Sequence, residues 1–424
     1  MKKSVITSAA LVALAAAAGI VATTGSASAQ ATTSWNGAPE TREGQQRFKL
    51  RGRFQYDVIS NDWDNDTEEG WRSYMRRAFI GAQGRLTDRW RYKIDFVLNP
   101  GASEASGAPA TGGADDVAVD DAYLEYAGDF FSFVIGENNV TSPLEDRISS
   151  LDIPFIERSS MINAFGYGRL AGVAFLTNGA NWTAAVGAYG DSLNNADSSF
   201  NNSESTSFSG RFTWAPIFEN SPEGFTLVHL GLTARQRYIG DDSTQRYRTR
   251  PLNGRGARYI DAGSGIAGET DTTWGAEFAA QHNQFGVAAE YHSLEGEETA
   301  AGGGGGYEFD GYYVDVFWSP TGEPRNYRGN TGSFGAVAPR RPVDQGGPGH
   351  WLVSARYDYL DLSDALGTVG TRGEQTAYAV GLDWVPLDHV RFKFNYAMSD
   401  MDRTGAGAVD TEAQVISFRT QFDF

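Results

Sequence analysis

Residues 48–58, FKLRGRFQYDV, alternate in character. Phe48, Leu50, Gly52, Phe54, Tyr56 and Val58 share one parity, and Lys49, Arg51, Arg53, Gln55 and Asp57 the other. Successive side chains of a strand point to opposite faces, so the stretch predicts a strand with one apolar and one charged face. The pattern recurs. In 77–86, Ala78, Ile80, Ala82 and Leu86 oppose Arg77, Gln83 and Arg85. In 90–99, Trp90, Tyr92, Ile94, Phe96 and Leu98 oppose Arg91, Lys93, Asp95 and Asn99. In 121–126, Asp121 and Glu125 oppose Ala122, Leu124 and Tyr126. Twelve further segments (130–136, 170–176, 182–190, 207–215, 226–238, 272–281, 285–292, 310–318, 351–360, 376–384, 390–397 and 412–424) bring the candidates to sixteen. Some are joined by short turns, such as 87–89 and 386–389. Others are joined by long Gly/Ser/Asn/Asp-rich stretches at 100–116, 191–206, 239–271, 293–309 and 319–350. This suits an up-and-down meander whose two ends differ.

A soluble antiparallel sheet alternates too. Two features point elsewhere. Trp, Tyr and Phe crowd the apolar parity near segment ends, as in the girdles of membrane barrels. The chain also closes on VISFRTQFDF, with Phe418, Phe422 and Phe424 on one parity and Arg419, Gln421 and Asp423 on the other. The expected fold class is therefore all-β: a transmembrane antiparallel β-barrel of about 16 strands, closed because lipid satisfies no free sheet edge. The apolar face meets lipid. The charged face lines a lumen too wide for side chains to fill, which leaves an aqueous channel.

Composition agrees. The chain has 10 Trp, 19 Tyr, 25 Phe and 51 Gly, and no Cys. No stretch after the first thirty residues approaches the roughly 20 apolar residues of a membrane helix. Lys2 and Lys3, an apolar run from Val5 to Ala22, and Ala27-Ser28-Ala29 read as a secretory signal peptide. The expected division is a signal peptide over 1–29, a short N-terminal extension over 30–47, and the barrel over 48–424, placed in the bacterial outer membrane.

Removing Lys2 and Lys3 takes the net charge from −18 to −20, which argues against a nucleic-acid partner. The inward parity is nonetheless more basic than the molecule, with fourteen cations against ten acids. All three lysines beyond Lys3 (Lys49, Lys93 and Lys393) fall on it. Cationic rings favour anions. Arg246, Arg248, Arg250, Arg255 and Arg258 crowd residues 245–258. They read either as an anion-attracting ladder folded into the mouth or as a solvated loop bonded to nearby acids or lipopolysaccharide. His229, His282, His292, His350 and His389 are scattered without metal-ligand spacing, and Gly302–Gly306 lacks the Lys-Ser/Thr of a nucleotide loop. Acid pairs stand at 115–116, 120–121 and 241–242, in or beside loops, with nothing further to mark a calcium site. No enzyme, cofactor or metal is expected. The alternatives to an anion-preferring porin are a general, non-specific diffusion porin, an exported β-rich hydrolase, and a structural or adhesion role for the acidic loops.

The chain resembles the phosphate-selective porin O and P family through FKLRGRFQ (48–55), RRAFIGAQG (76–84), WRYKIDF (90–96), DDAYLEYAG (120–128), FIERS (155–159), GLTARQRY (231–238), FWSPTGEPRNY (317–327) and FRTQFDF (418–424). The resemblance implies a 16-stranded barrel with inward-folded loops, usually a homotrimer, in contact with outer-membrane lipid and lipopolysaccharide. It implies passive diffusion of small anions such as chloride, with phosphate or a polyphosphate such as diphosphate as the cargo of some members. It carries an arginine ladder onto Arg248, Arg250 and Arg255, eyelet arginines onto Arg53, Arg76 and Arg77, and a pore-lining aromatic onto Phe79. The remaining pore-lining candidates are Lys49, Arg51, Lys93 and Arg328. One departure is plain: 141–159 contains no lysine, and Asp146 and Leu151 stand where the family places lysines.

Overall fold

The computed structural model describes residues 31–64 except 36, 69–98, 117–194 except 140, 205–240, 245–262, 266, 268–299, 304–364, 372–404 and 408–424. The signal-peptide reading of 1–29 lies outside the described residues, as do Asp115, Asp116, Asp241, Asp242 and the run 301–303.

Sixteen antiparallel strands form one closed sheet. They are β1 (Gln46–Trp63), β2 (Gly70–Arg85), β3 (Trp90–Leu98), β4 (Val117–Ala127), β5 (Ser132–Asn139), β6 (Arg169–Asn178), β7 (Trp182–Tyr189) and β8 (Thr206–Ser221). The second half comprises β9 (Gly224–Tyr238), β10 (Gly268–His282), β11 (Phe285–Glu298), β12 (Gly305–Trp318), β13 (His350–Asp361), β14 (Arg372–Leu387), β15 (Val390–Thr404) and β16 (Thr411–Asp423). Each predicted segment coincides with one strand. The strands are longer than the alternation suggested, because backbone pairing continues where both faces are wet or packed by loops. Much of the expected loop 293–309 is therefore strand, with β11 running to Glu298 and β12 starting at Gly305.

The barrel closes where β16 pairs β1, from Ala413↔Trp63 to Asp423↔Arg53. Phe424 and Gly52 complete the seam by exchanging two backbone hydrogen bonds of 3.1 Å. A Cβ on Gly52 would stand 2.2 Å from the Phe424 ring, so glycine lets the last aromatic lie flat over the seam. Before β1, a hairpin of Thr32–Trp35 and Pro39–Glu43 pairs with the start of that strand.

Burial follows the predicted parity. Phe54, Phe212, Trp214, Val380, Leu382 and Phe394 are exposed on the outer face, while Asp57, Glu277, Glu290, Asp358, Lys393 and Arg419 are buried inside. Outer-face aromatics form two bands. One, near the short turns, runs through Trp351–Trp384 (5.3 Å) and Trp384–Phe392 (5.6 Å). The other, near the loops, runs through Tyr312–Tyr357 (5.7 Å) and Tyr357–Tyr378 (5.2 Å). Such belts mark the two membrane interfaces. Among the described residues no helix is long and apolar enough to cross a membrane, so the strands do the crossing.

One expectation about the loops needs correction. Counting strands from the short turns at 86–89 and 128–131 places the long segment 319–349 on the short-turn end, not among the loops. It folds back into the lumen as a small hairpin, Asn326–Arg328 paired with Ser333–Gly335. Two segments enter from the opposite end: 141–168, carrying helices α1 (Leu144–Arg147) and α2 (Ser160–Phe165), and 245–262, with a short pairing of Arg248–Thr249 and Ile260–Asp261.

Candidate permeation site

The segment 141–168 is fastened to the wall by polar contacts. Glu290 on β11 accepts the backbone N–H groups of Leu144 and Glu145 at 3.0 and 2.7 Å, which satisfies donors at the start of α1. Asp358 on β13 accepts Ser160 N–H at 2.9 Å. Lys393 and Arg391 donate to the carbonyls of Ile153 and Leu151, and Asn395 accepts from Ile156 N–H at 2.6 Å. Arg419, fully buried, binds both Asp57 oxygens at 2.7 Å, the Ile156 carbonyl at 2.9 Å and Glu157 at 3.3 Å. Arg76 clamps Glu157 in a fork of 2.8 and 2.9 Å. Burial alone would raise the Glu157 carboxyl, but Arg76 outweighs it and holds the group below the usual carboxylate range. Much of the basic inward parity on β13–β16 is thus committed to holding this loop.

The loop leaves a channel on the other side. A cavity of about 1040 Å³ lies between it and the wall of β1–β8, bounded also by 248–258 and by the tip of the turn-end hairpin. Fourteen cationic and six acidic side chains line it. Every acid is ion-paired: Asp120 to Arg169 at 3.2 Å, Asp121 to Arg169 at 3.0 Å and to Lys93, Glu125 to Arg91 at 3.3 Å, Asp146 to Arg158 at 3.6 Å, Asp152 to Arg391 at 3.5 Å, and Glu157 to Arg76. Among the described residues no carboxylate lies within ion-pair distance of Arg53, Arg77 or Arg147, all of which line the cavity. Arg53 donates to the hydroxyls of Ser150 and Ser149 at 2.8 and 3.2 Å and lies 5.2 Å from the centre of the Phe79 ring. Arg77 donates to Gln55 at 3.0 Å.

Two β-bulges build the wall. The β1–β2 register passes from Gln55↔Arg77 to Tyr56↔Met75, so Arg76 is the extra residue and both arginines face inward. The β3–β4 register passes from Asp95↔Asp121 to Phe96↔Val119, which makes Asp120 the extra residue and turns both aspartates inward. Bulges re-aim side chains in this way. Asp95, Asp120 and Asp121 lie close enough to hold a cation, but Arg51, Lys93 and Arg169 already occupy them.

Of the sequence candidates, Arg51, Arg53, Arg76, Arg77, Phe79, Lys93, Arg248, Arg250 and Arg328 line the cavity. Two do not. Lys49 lies on the inner wall below it, opposite Gln83 and Glu40 in the sheet, and Arg255 stacks on Tyr74 at 5.0 Å. Arg246 is bound in a fork to Asp261 outside the cavity, whereas Arg258 of the same run lines it. Alternation did not reveal Arg147, Ser149, Ser150, Arg158 and Arg169, because all but Arg169 sit on the irregular inward loop and Arg169 opens β6. The sequence signal for the bulges was the doubled like charge, Arg76-Arg77 and Asp120-Asp121, inside an alternating strand.

A closed 16-strand barrel with a lipid-facing apolar band and a water-filled, charged lumen defines an outer-membrane porin. The profile of the phosphate-selective porin O and P family matches residues 48–424, and the chain belongs to that family. Porin O of Pseudomonas aeruginosa is 27% identical over 419 residues, covering 89% of this chain and 88% of that one. An uncharacterized protein of Caulobacter vibrioides is 30% identical over 415 residues, covering 94% and 78%. Among solved structures, the trimer form of OmpT, an outer membrane protein of Vibrio cholerae, superposes with a TM-score of 0.50 at 11% identity, covering 89% of this chain and all of that one.

Proposed function

We propose that this porin passes small anions in preference to cations, by passive diffusion and without catalysis. The supporting observation is the ion-pair balance of the lumen: the acids lining the cavity are neutralised by neighbours, and Arg53, Arg77 and Arg147 are not. Their counter-charge comes from solution, which enriches anions at the narrow part of the path. Chloride, phosphate and diphosphate are the anions to compare. Arg53, Arg77, Arg158 and the hydroxyls of Ser149 and Ser150 converge on the cavity and offer the donors an oxyanion takes. The remaining pore-lining roles fall to Arg51, Lys93, Arg248, Arg250 and Arg328, with Arg76 fixing the loop and Lys49 and Arg255 flanking the path. The mature protein begins after Ala29 and assembles as a homotrimer among outer-membrane lipid and lipopolysaccharide, and the OmpT trimer form supports that assembly.

Replacing Arg53 and Arg77 together by Gln tests the reading. The expected result is a several-fold fall in the chloride-to-potassium permeability ratio in planar bilayers. An unchanged ratio would remove these residues from the selectivity filter.

A further inference from the structure

Glu290 and His292 stand two residues apart on the inward parity of β11, and both are buried. In the sheet His292 lies between Gly275 on β10 and Gly311 on β12. A Cβ on Gly275 would stand 2.2 Å from the imidazole, so the ring rests on bare backbone. Its Nδ1 meets the hydroxyl of Tyr167, at the end of the inward loop, at 3.0 Å, and its Nε2 lies 3.4 Å from Glu290. A carboxylate only accepts, so Nε2 donates to Glu290 and a neutral Nδ1 accepts the Tyr167 hydroxyl.

A second chain mirrors the first. Glu277 stands directly opposite Glu290 in the sheet. His229 Nε2 lies 3.2 Å from Glu277, and its Nδ1 lies 2.8 Å from the Tyr327 hydroxyl on the turn-end hairpin. The wall thus carries Tyr327–His229–Glu277 beside Glu290–His292–Tyr167, with one tyrosine on each inward segment.

The two chains differ in charge. Arg211 forks onto Glu277 at 2.8 and 2.7 Å and also binds the carbonyls of Thr331 (3.0 Å) and Gly332 (2.7 Å) in the hairpin. A proton on His229 would set a second cation on a carboxylate that already has one. Among the described residues no lysine or arginine lies within ion-pair distance of Glu290. Its oxygens accept the N–H groups of Leu144 (3.0 Å) and Glu145 (2.7 Å) and the Tyr313 hydroxyl (2.7 Å). The charged groups of the surrounding elements are engaged elsewhere. Arg356 binds Asp315 and Glu145, Asp358 accepts the Ser160 N–H, and Asp146 pairs with Arg158. Arg235 donates to the carbonyls of Phe165 (2.8 Å) and Gly166 (2.7 Å) and lies 4.3 Å from the centre of the Tyr167 ring. A cation formed at His292 therefore completes an ion pair that Glu290 otherwise lacks. With four donors already on the Glu290 oxygens, Nδ1 of His292 is the atom that holds the added proton.

We propose that His292 is a proton switch for the inward loop, and that His229 is a fixed pin for the hairpin. On acidification Nδ1 takes a proton from water and becomes a donor. The Tyr167 hydroxyl must then turn and accept, and its own proton loses that partner. Tyr167 also comes to stand between two cations, His292 and Arg235, and its release relieves both strains. Ile162, Asn163, Gly166, Tyr167 and Gly168 of the same limb line the permeation cavity, so release reshapes the path. The switch acts on the size of the current, not on which ion carries it, and so stands apart from the anion preference proposed above.

Single-channel recording of the reconstituted protein between about pH 8 and about pH 5, the span over which an imidazole ordinarily changes charge, tests it. Wild type should show a reversible, several-fold fall in open probability at the acid end. H292Q should lose that fall, and H229Q should keep it. Y167F should show the acid-like fluctuations at every pH, since its ring cannot bond Nδ1. If H292Q does not fold, Y167F decides alone. A wild type indifferent to pH, or an H292Q or Y167F that follows the wild-type pH profile, overturns the switch. Loss of the response in H229Q overturns the division of roles between the two histidines.

Discussion

Arg419 shows how a lumen residue divides its duties. It is fully buried and holds a wall acid, Asp57, a loop acid, Glu157, and a loop carbonyl at once. Its charge therefore contributes little to permeation and much to the shape of the eyelet. R419M should cost about 3–5 kcal/mol in a reversible unfolding titration, because two carboxylates lose a buried partner. A cost under about 1 kcal/mol would place that network in contact with water. Alternation predicted that Arg419, Asp57, Arg77 and Asp121 face inward, and they do. It could not separate a cation that holds the loop from one that meets solute, since the two share a parity and differ only in partner. Nor could it foresee Arg76 or Asp120 inside, since a bulge breaks the two-residue period on which the inference rests.

At the scale of elements, the two faces of each strand meet different solvents. Val380 stands in the middle of β14 on the outer face, and Ala185 on β7 lines the cavity. V380R should destabilise the barrel by about 2–4 kcal/mol, the cost of a cation at the bilayer midplane. A185R should cost less than V380R, since its charge enters the lumen and not lipid, although it stands opposite Arg211 in the sheet, and it should lower conductance by its bulk. Equal costs at the two sites would contradict the assignment of faces. Strand identity was legible from FKLRGRFQYDV onward because one side of every strand had to be apolar. The length and Gly-rich composition of 319–349 set it among the loops, so neither its end nor its fold into the lumen was read correctly from the sequence. The fold into the lumen depends on Arg211, His229, Glu277 and Tyr327, which lie on four separate segments: β8, β9, β10 and the hairpin.

At the scale of the whole molecule, an acidic chain encloses a basic path. The acids that make the net charge −18 include a band on the outer face near the loops, where Glu295 opposes Glu308, Asp310 opposes Asp361, and Asp361 opposes Glu374. Screening separates such distant charges from the lumen, because the Debye length is about 8–10 Å at physiological salt. Anion preference should strengthen as salt is lowered, because the lumen cations stand on the ion's path and gain most from weaker screening, whereas the outer-face acids lie behind the barrel wall. The most direct measurement is the reversal potential of the reconstituted protein across an about tenfold potassium chloride gradient at low mean salt. The account predicts the sign of a chloride-preferring pore. A potential of the opposite sign, drawn by potassium, would contradict it.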